Sequence, residues 1–150
     1  TVEVVALPGH TTDMTGFLIA GRALISGDSL FADGIARPDL QRGDRDGAAA
    51  MARQLHATLH ERVLPLGDDV ILLPGHAHPG VRSESVAPTL AVVRERVAEL
   101  EIDDPAEFAA ELLAEMPPRP ANYETVIAVN SGRHPFDPEL EAGGNSCSTR

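Results

Sequence analysis

The sequence has no lysine and no tryptophan among its 150 residues, and its basic residues are 12 arginines. Against them stand 23 Asp and Glu residues, which gives a formal net charge of −11. Nucleic acids and anionic membrane surfaces bind proteins through a basic face, so this composition argues against both as partners. An acidic surface without lysine is typical of a protein that works in high salt, where screening weakens the repulsion between carboxylates. We therefore expect a halophilic protein.

Cysteine, aromatic residues and long apolar runs are also scarce. The single cysteine, Cys147, cannot form an intrachain disulfide, and its polar surroundings predict an inert thiol. Aromatic residues make up only 3% of the chain, so the core must be aliphatic. The sequence contains no apolar run of 18 residues, and its N-terminus lacks the features of a signal peptide. We expect a cytoplasmic protein.

The length and the 43% hydrophobic content suffice for one domain with a single core. Short apolar runs bounded by turn residues predict four strands, at 2–7, 15–20, 23–26 and 70–73. The second and third form a hairpin, and the first and last read as largely buried strands. Apolar residues at helical spacing predict helices at 44–64, 87–100 and 104–116, before a last segment at 120–130. The fold class is therefore α/β (α+β).

Three side chains that commonly bind metals come after the ends of predicted strands. His10 follows Pro8-Gly9, Asp28 follows Gly27, and His76 follows Pro74-Gly75. Imidazole and carboxylate are zinc ligands when they converge within about 2.0–2.2 Å of one ion. We predict that His10, Asp28 and His76 line one metal-centred cleft. The alternative is that each Pro-Gly pair only marks a turn and each His is solvated.

The other histidines are weaker candidates for metal ligands. His56 and His60 lie four residues apart on a predicted helix, a spacing that can chelate a metal. The residues between them include no glutamate that could act as a general base, so surface or second-layer histidines are the favoured interpretation. His78 lies in the loop after His76 and is the weaker of those two.

Four separate motifs resemble one protein family. They are LPGHT at 7–11, SGDSL at 26–30, LPGH at 73–76 and the Gly-x-x-Arg-x-Asp-x-Gln element at 34–41. Their order resembles the second half of the metallo-β-lactamase superfamily, in the branch of glyoxalase II and the persulfide dioxygenases. The resemblance covers roughly residues 2–80, and residues 117–130 resemble the segment after the catalytic domain in prokaryotic members.

The resemblance implies the C-terminal half of a four-layer αββα sandwich, with added C-terminal helices. Residues 1–80 correspond to that half-domain, 81–130 to a helical extension that packs on it, and 131–150 to a disordered polar tail. The family's His-x-His-x-Asp-His motif is absent from the sequence. Because the chain starts without Met and enters a strand almost at once, we expect it to begin within a domain. Half a sandwich leaves an apolar sheet face exposed, which a partner chain or an oligomer contact could cover.

The resemblance also implies roles for the site residues. His10 corresponds to a ligand of the first metal and His76 to a ligand of the second. Asp28 corresponds to the carboxylate that bridges two metals in the hydrolases, or completes a His-His-Asp triad on one iron in the dioxygenases. Arg37 and Asp39 stand where contacts to a thiol substrate and supporting salt bridges are found. The implied cofactor is zinc in a two-metal site or Fe(II) in a one-metal site, and this chain supplies only part of either ligand set.

Three functions remain open on this basis, and no catalytic residue is identified beyond the metal ligands. The first is a glyoxalase II-like hydrolase that cleaves thioesters or esters with metal-activated water. The second is a mononuclear-iron dioxygenase that oxidises a thiol persulfide. The third is a non-catalytic remnant or one subunit of a split enzyme. The expected substrate is a small-molecule thiol, thioester or persulfide, and the 150 residues alone are expected to be inactive.

Overall fold

The computed structural model describes residues 1–42, 44–76, 87–114, 116–119 and 121–141, so His78 and Cys147 lie outside the described residues. The strands are β1 (Val2–Ala6), β2 (Thr15–Ile19), β3 (Ala23–Gly27) and β4 (Ile71–Pro74). The α-helices are α1 (Arg45–Thr58), α2 (Leu90–Arg96), α3 (Pro105–Ala114) and α4 (Tyr123–Asn130). The predicted α/β class is confirmed.

The four strands form one sheet in the order β1-β2-β3-β4. The pairs β1–β2 and β2–β3 are antiparallel, whereas β4 lies parallel to β3. The predicted hairpin is confirmed, and its turn places Ala20 and Gly21 at φ values of 51° and 67°. Positive φ at both central residues matches the right-handed twist of the strands that the turn connects. Because β1, β3 and β4 run in the same direction, their carboxyl ends meet at one edge of the sheet.

One face of the sheet is buried under the helices. It carries Leu18 and Leu24 from the hairpin and Leu72 from β4, which join side chains of α1, α2 and α3 in an aliphatic core. From the start of α2 to the short 3-10 helix after it (Ala98–Glu101), the apolar residues at helical spacing are all buried: Leu90, Val93, Val97 and Leu100. The helix predicted at 87–100 is shorter than expected, because its α-helical part ends at Arg96.

The opposite face of the sheet is apolar and exposed. Its large apolar side chains are Val2, Val4, Phe17, Ile19, Ile25 and Ile71, and the strand register places them in adjacent rows. The prediction that the first and last strands are largely buried is therefore wrong for this face, where Val2 is 65% and Val4 73% exposed. A continuous apolar run indicates two packed faces. In the described part of the chain, helices cover only one.

Two aspartates begin the helices that pack on each other. Asp44 caps α1, because its Oδ1 accepts a hydrogen bond from the Gly47 backbone at 2.7 Å. Asp104 accepts two backbone hydrogen bonds at the start of α3, as its position before Pro105 predicts. The helix predicted to run to Leu64 is α-helical only to Thr58, continues as a π-helix (Leu59–Val63) and ends as a 3-10 turn (Leu64–Leu66).

The remaining described segments are short. Residues 131–141 include a 3-10 helix (Pro138–Glu141), and residues 142–150 lie outside the described residues. Among the described helices, none has both the length and the apolar character needed to cross a bilayer.

Candidate functional site

The turns after β1, β3 and β4 bring His10, Asp28 and His76 together at one edge of the sheet. His10 Nε2 lies 4.0 Å from Asp28 Oδ2, and His76 Nδ1 lies 2.6 Å from Asp28 Oδ1. The Asp28 carboxylate therefore directs one oxygen towards each imidazole. Strands that run in one direction place the residues after their carboxyl ends side by side, which explains why residues 66 positions apart in sequence (76 − 10) converge here.

His10 is held in one tautomer by a backbone carbonyl. Its Nδ1 lies 2.8 Å from the carbonyl oxygen of Arg37, in a buried hydrogen bond. A carbonyl can only accept, so Nδ1 carries the proton and donates it. In the neutral ring, the lone pair is then on Nε2, which faces Asp28. A hydrogen bond from the other ring nitrogen orients most metal-binding histidines in this way.

Asp28 and His76 form a hydrogen-bonded pair at the surface, with side-chain exposures of 18% and 56%. Gly75 makes this approach possible. A Cβ at position 75 would lie 2.5 Å from Asp28 Oδ1 and 3.2 Å from the Gly27 carbonyl carbon. The Gly75 backbone also donates to the Gly27 carbonyl at 2.8 Å, which fixes the end of β4 against the end of β3.

The turn that carries His10 is fastened by side-chain hydrogen bonds to its backbone. Ser29 Oγ donates to the Leu7 carbonyl at 3.1 Å, and Thr58 Oγ1 donates to the Pro8 carbonyl at 2.6 Å. Gly9 has φ +148°, and a Cβ there would lie 2.4 Å from Leu55 Cβ on α1. The turn therefore contacts α1 directly, and a larger residue at position 9 would separate them.

The loop after Asp28 holds a buried ion pair. Arg37 is fully buried at 0% exposure, and its Nε and Nη2 donate to the two oxygens of Asp39 at 2.7 and 3.0 Å. Arg119 Nε donates to Asp39 Oδ2 at 2.9 Å. Burial opposes ionisation of Asp39, but hydrogen bonds and charge from Arg37 and Arg119 hold its pKa below the ordinary value of 3.8.

Residues 117–119, which we call the strap, complete the surroundings of Arg37. The Arg37 guanidinium donates hydrogen bonds to the carbonyls of Pro117 at 2.9 Å and Pro118 at 3.2 Å. Arg119 also lies over the ring of Tyr123, with its Cζ 5.3 Å from the ring centroid. Sequence reasoning missed Arg119, because nothing in a sequence pairs two residues 80 positions apart (119 − 39).

Gln41, the last residue of the Gly-x-x-Arg-x-Asp-x-Gln element, forms hydrogen bonds with the other side of the turn that carries His10. Gln41 Oε1 accepts from the Thr12 backbone at 2.8 Å, and Gln41 Nε2 donates to Thr12 Oγ1 at 3.2 Å. Arg37 thus supports the turn through its carbonyl and Gln41 through its amide. Contact of Arg37 or Asp39 with a substrate stays a prediction.

His56 and His60 lie elsewhere and form a stacked pair. Their ring centroids are 4.0 Å apart at an angle of 19°, and Phe108 lies edge-on to His56. His56 is buried, and its Nε2 donates to the Ile102 carbonyl at 2.9 Å. Desolvation, together with the charges of His56 and Arg94, lowers the pKa of His60 below 6.5 against an opposing effect of Asp103. The pair packs α1 against the chain before α3.

A cleft of about 600 Å³ opens between α1 and α3, with alanines on both helices. Asp39 and Arg119 line one wall, but none of His10, Asp28 and His76 does. The cleft is therefore separate from the histidine-carboxylate cluster.

The donor types at the cluster fit a metal ion. Two ligand atoms about 2.1 Å from one tetrahedral ion lie about 3.4 Å apart, so the 4.0 Å between His10 Nε2 and Asp28 Oδ2 would have to shorten by about 0.6 Å for both to bind it. Asp28 Oδ1 instead accepts the His76 Nδ1 proton, which metal binding at both atoms would release. As positioned, no three His, Cys, Asp or Glu side chains in the described residues surround a common metal position. The ligand assignment of His10, Asp28 and His76 stays a prediction.

Comparison with known proteins identifies relatives that match part of this chain, although no family model matches it. A segment of 75 residues is 37% identical to the hydroxyacylglutathione hydrolase GloC of Haemophilus influenzae, covering 49% of this chain and 32% of that protein. A segment of 86 residues is 29% identical to the human mitochondrial persulfide dioxygenase ETHE1, covering 57% and 31%. The matched segments thus span about a third of the length of these curated relatives.

Two solved structures share the fold. A metallo-β-lactamase from Staphylococcus aureus superposes with a TM-score of 0.76 at 24% identity, over 91% of this chain and 44% of that chain. ETHE1 from Myxococcus xanthus superposes with a TM-score of 0.72 at 26% identity, over 89% and 54%. This fold therefore recurs as part of larger chains.

Proposed function

We propose that this chain belongs to the metallo-β-lactamase superfamily and forms part of a metal-dependent hydrolase that cleaves a thioester or related ester, as glyoxalase II does. The observation that carries this proposal is the position of Asp28 between two imidazoles, with one oxygen towards each. His10, Asp28 and His76 would suit a two-metal site, where bound ions would activate water for attack on the substrate carbonyl. The 37% identity to a hydroxyacylglutathione hydrolase supports the same substrate class.

The residues have distinct proposed roles. His10 offers the Nε2 lone pair, which the Arg37 carbonyl keeps free by binding the proton on Nδ1. Asp28 offers both oxygens, and His76 offers its imidazole at the more exposed side of the cluster. Zinc bound there would polarise the substrate carbonyl and lower the pKa of water to about 7. The His-x-His-x-Asp-His motif that would complete the ligand set is absent from residues 1–150, so we expect these residues alone to show no turnover above a metal-only control.

A mononuclear-iron persulfide dioxygenase is the second candidate. The Arg37, Asp39 and Gln41 element and the 26% identity to ETHE1 of Myxococcus xanthus over 89% of this chain favour it. Two histidines and one carboxylate are the ligand set of many Fe(II) oxygenases. His10 and Asp28 would supply two of the three ligands, and His76 would then act as a hydrogen-bond partner of Asp28.

The exposed sheet face supports a third proposal, in which the chain acts only together with a second apolar surface. That surface would belong to another part of the same protein or to a partner chain. The exposed rows of Val, Ile and Phe side chains are the supporting observation, because stable proteins rarely leave such a patch in water.

We propose the cytoplasm as the compartment, since the chain needs no disulfide.

Metal analysis of the full-length protein, combined with two assays, tests these candidates. The hydrolase predicts about two zinc ions per chain and cleavage of a hydroxyacylglutathione thioester. The dioxygenase predicts about one iron and O₂ uptake with glutathione persulfide.

Asp28→Asn tests the role of the carboxylate in either chemistry. We expect it to lower turnover by at least about 100-fold, because loss of a ligand should exceed the effect of losing an outer-shell partner. Asp69→Asn, which makes the same charge change in an exposed turn, serves as the control. Full activity of the Asp28 variant would contradict both candidates.

A further inference from the structure

We propose that the strap at residues 117–119 positions the imidazole of His10, acting through Arg37 and Asp39. The inference rests on the proposed metal-binding role of His10 and assigns to the chain after α3 a part in preparing that ligand. The strap carbonyls bind Arg37, and Arg119 binds Asp39, so the strap acts on His10 through other residues. Its members are therefore positioning groups.

The Arg37 guanidinium is held in place by Asp39 and by the strap. It is fully buried, and it donates hydrogen bonds to the Asp39 carboxylate and to the two strap carbonyls. A buried guanidinium that loses acceptors is strongly disfavoured, so removing the strap contacts would drive Arg37 towards another position. The strap contacts therefore contribute to the stability of the native conformation of Arg37.

The Arg37 side chain and the Arg37 carbonyl that binds His10 belong to one residue, so a change in the position of one affects the other. The Arg37 carbonyl accepts the Nδ1 proton of His10 at 2.8 Å, in a buried hydrogen bond. Asp39, only two residues further on, accepts hydrogen bonds from Arg37 and from Arg119, which lies 80 positions away. A movement of this loop displaces the carbonyl from His10, because both ends of the ion pair lie on the same short segment.

The position of the Arg37 carbonyl determines which nitrogen of His10 carries the proton. With the Arg37 carbonyl in place, the proton stays on Nδ1 and the lone pair on Nε2 faces Asp28. Without that carbonyl, the tautomer with the proton on Nε2 can donate to Asp28 Oδ2 after a small closure of the 4.0 Å gap. That tautomer offers no lone pair on the side of the carboxylate, and metal binding must then reverse it.

The test is ¹⁵N NMR of the histidine side chains in the metal-free full-length protein, together with its Zn²⁺ affinity. In the native protein, we expect His10 to carry its proton on Nδ1. Arg119→Gln should shift His10 measurably towards the other tautomer and weaken Zn²⁺ binding about 10-fold, as the loss of an outer-shell partner does. Arg119→Lys, which keeps a cation beside Asp39, should restore most of both properties.

Two further variants separate positioning from general destabilisation. Tyr123→Leu removes the ring beneath Arg119 and leaves the ion pair, so it should weaken Zn²⁺ binding in the same direction by about 2- to 5-fold. Arg96→Gln makes the same charge change as Arg119→Gln on an exposed position of α2 and should leave both properties unchanged.

The inference is overturned if Arg119→Gln lowers Tm but leaves the His10 nitrogen shifts and the Zn²⁺ affinity equal to those of Arg96→Gln. Because the tautomer is measured without metal, this result is distinct from failure of the proposed hydrolase. A native protein that lacks hydrolase activity but shows the tautomer shift would contradict the hydrolase alone.

Discussion

His76 Nδ1 lies 2.6 Å from Asp28 Oδ1, although 48 positions separate the two residues in the sequence. The contact depends on parallel pairing of β4 with β3 and on the absence of a side chain at Gly75. It joins the two turns at the sheet edge and leaves the other carboxylate oxygen free to face His10.

Gly75→Ala should disrupt this arrangement. The new Cβ would lie 2.5 Å from Asp28 Oδ1, so the carboxylate must move away from His76 or the turn must shift. We expect at least about 10-fold weaker Zn²⁺ binding by titration calorimetry and a loss of stability of about 1–3 kcal/mol. Gly132→Ala is the control, because its φ of +71° strains alanine in open space away from the cluster. Equal metal affinity in both variants would contradict this role of Gly75.

The lowered pKa of Asp39 predicts that the free energy of unfolding depends on pH in the acidic range. Its pKa is lowered in the folded state, so its contribution is fully present above 3.8 and is lost as the pH falls from there through the folded pKa. Urea unfolding from about pH 6 down to about pH 2.5 should show this loss in the native protein. In Asp39→Asn that part of the pH dependence should disappear, and an unchanged profile would refute the assignment.

The lowered pKa of His60 predicts a second pH range in which the free energy of unfolding changes. Because desolvation and the charge of His56 lower its pKa, the unfolded chain binds the proton more tightly than the folded chain. Stability should therefore fall as the pH drops below 6.5, through the lowered pKa of folded His60. His60→Gln should flatten this decline, whereas His134→Gln, at an exposed position, should not. A decline that persists in His60→Gln would assign it to another group.

The exposed sheet face should be covered in the full-length protein. Val4→Asp should then lower the free energy of unfolding by more than about 2 kcal/mol, because a charge would be buried without a partner. Phe136→Asp changes another exposed apolar residue, 67% exposed against 73% for Val4, and should cost less than about 0.5 kcal/mol. Similar small effects in chemical unfolding would show that Val4 stays in water.

The acidic composition predicts that salt stabilises the protein. With a formal charge of −11, repulsion between carboxylates should weaken as KCl is raised, so Tm should rise. Thermal unfolding from low to molar KCl measures this directly. A Tm that stays constant or falls would remove the halophilic interpretation.

The sequence predicts the parts of the fold that local chemistry determines. The hairpin turn at Gly21, the Asp44 and Asp104 caps and the buried residues of α2 depend on local sequence, and the structure contains each of them. The exposure of β1 does not follow from local patterns, because burial depends on what packs over the sheet, and only the resemblance to half a sandwich predicts an exposed sheet face. The π-helix after Thr58 is likewise not predicted, since periodicity alone does not separate it from an α-helix.

The candidate site divides in the same way. Strand ends and Gly-containing turns point to His10, Asp28 and His76, and the structure brings the three together. The contacts of Arg37 with Pro117 and Pro118 and of Asp39 with Arg119 could not be read from sequence. They join segments about 80 positions apart, and no local pattern records such a pairing.

We propose that His10 and Asp28 hold one metal ion. Anomalous diffraction from crystals of the metal-loaded full-length protein measures this most directly. We predict an anomalous peak about 2.0–2.2 Å from His10 Nε2 and from an oxygen of Asp28. A metal-loaded protein whose peaks all lie away from these two atoms, for example at His56 and His60, would contradict the claim.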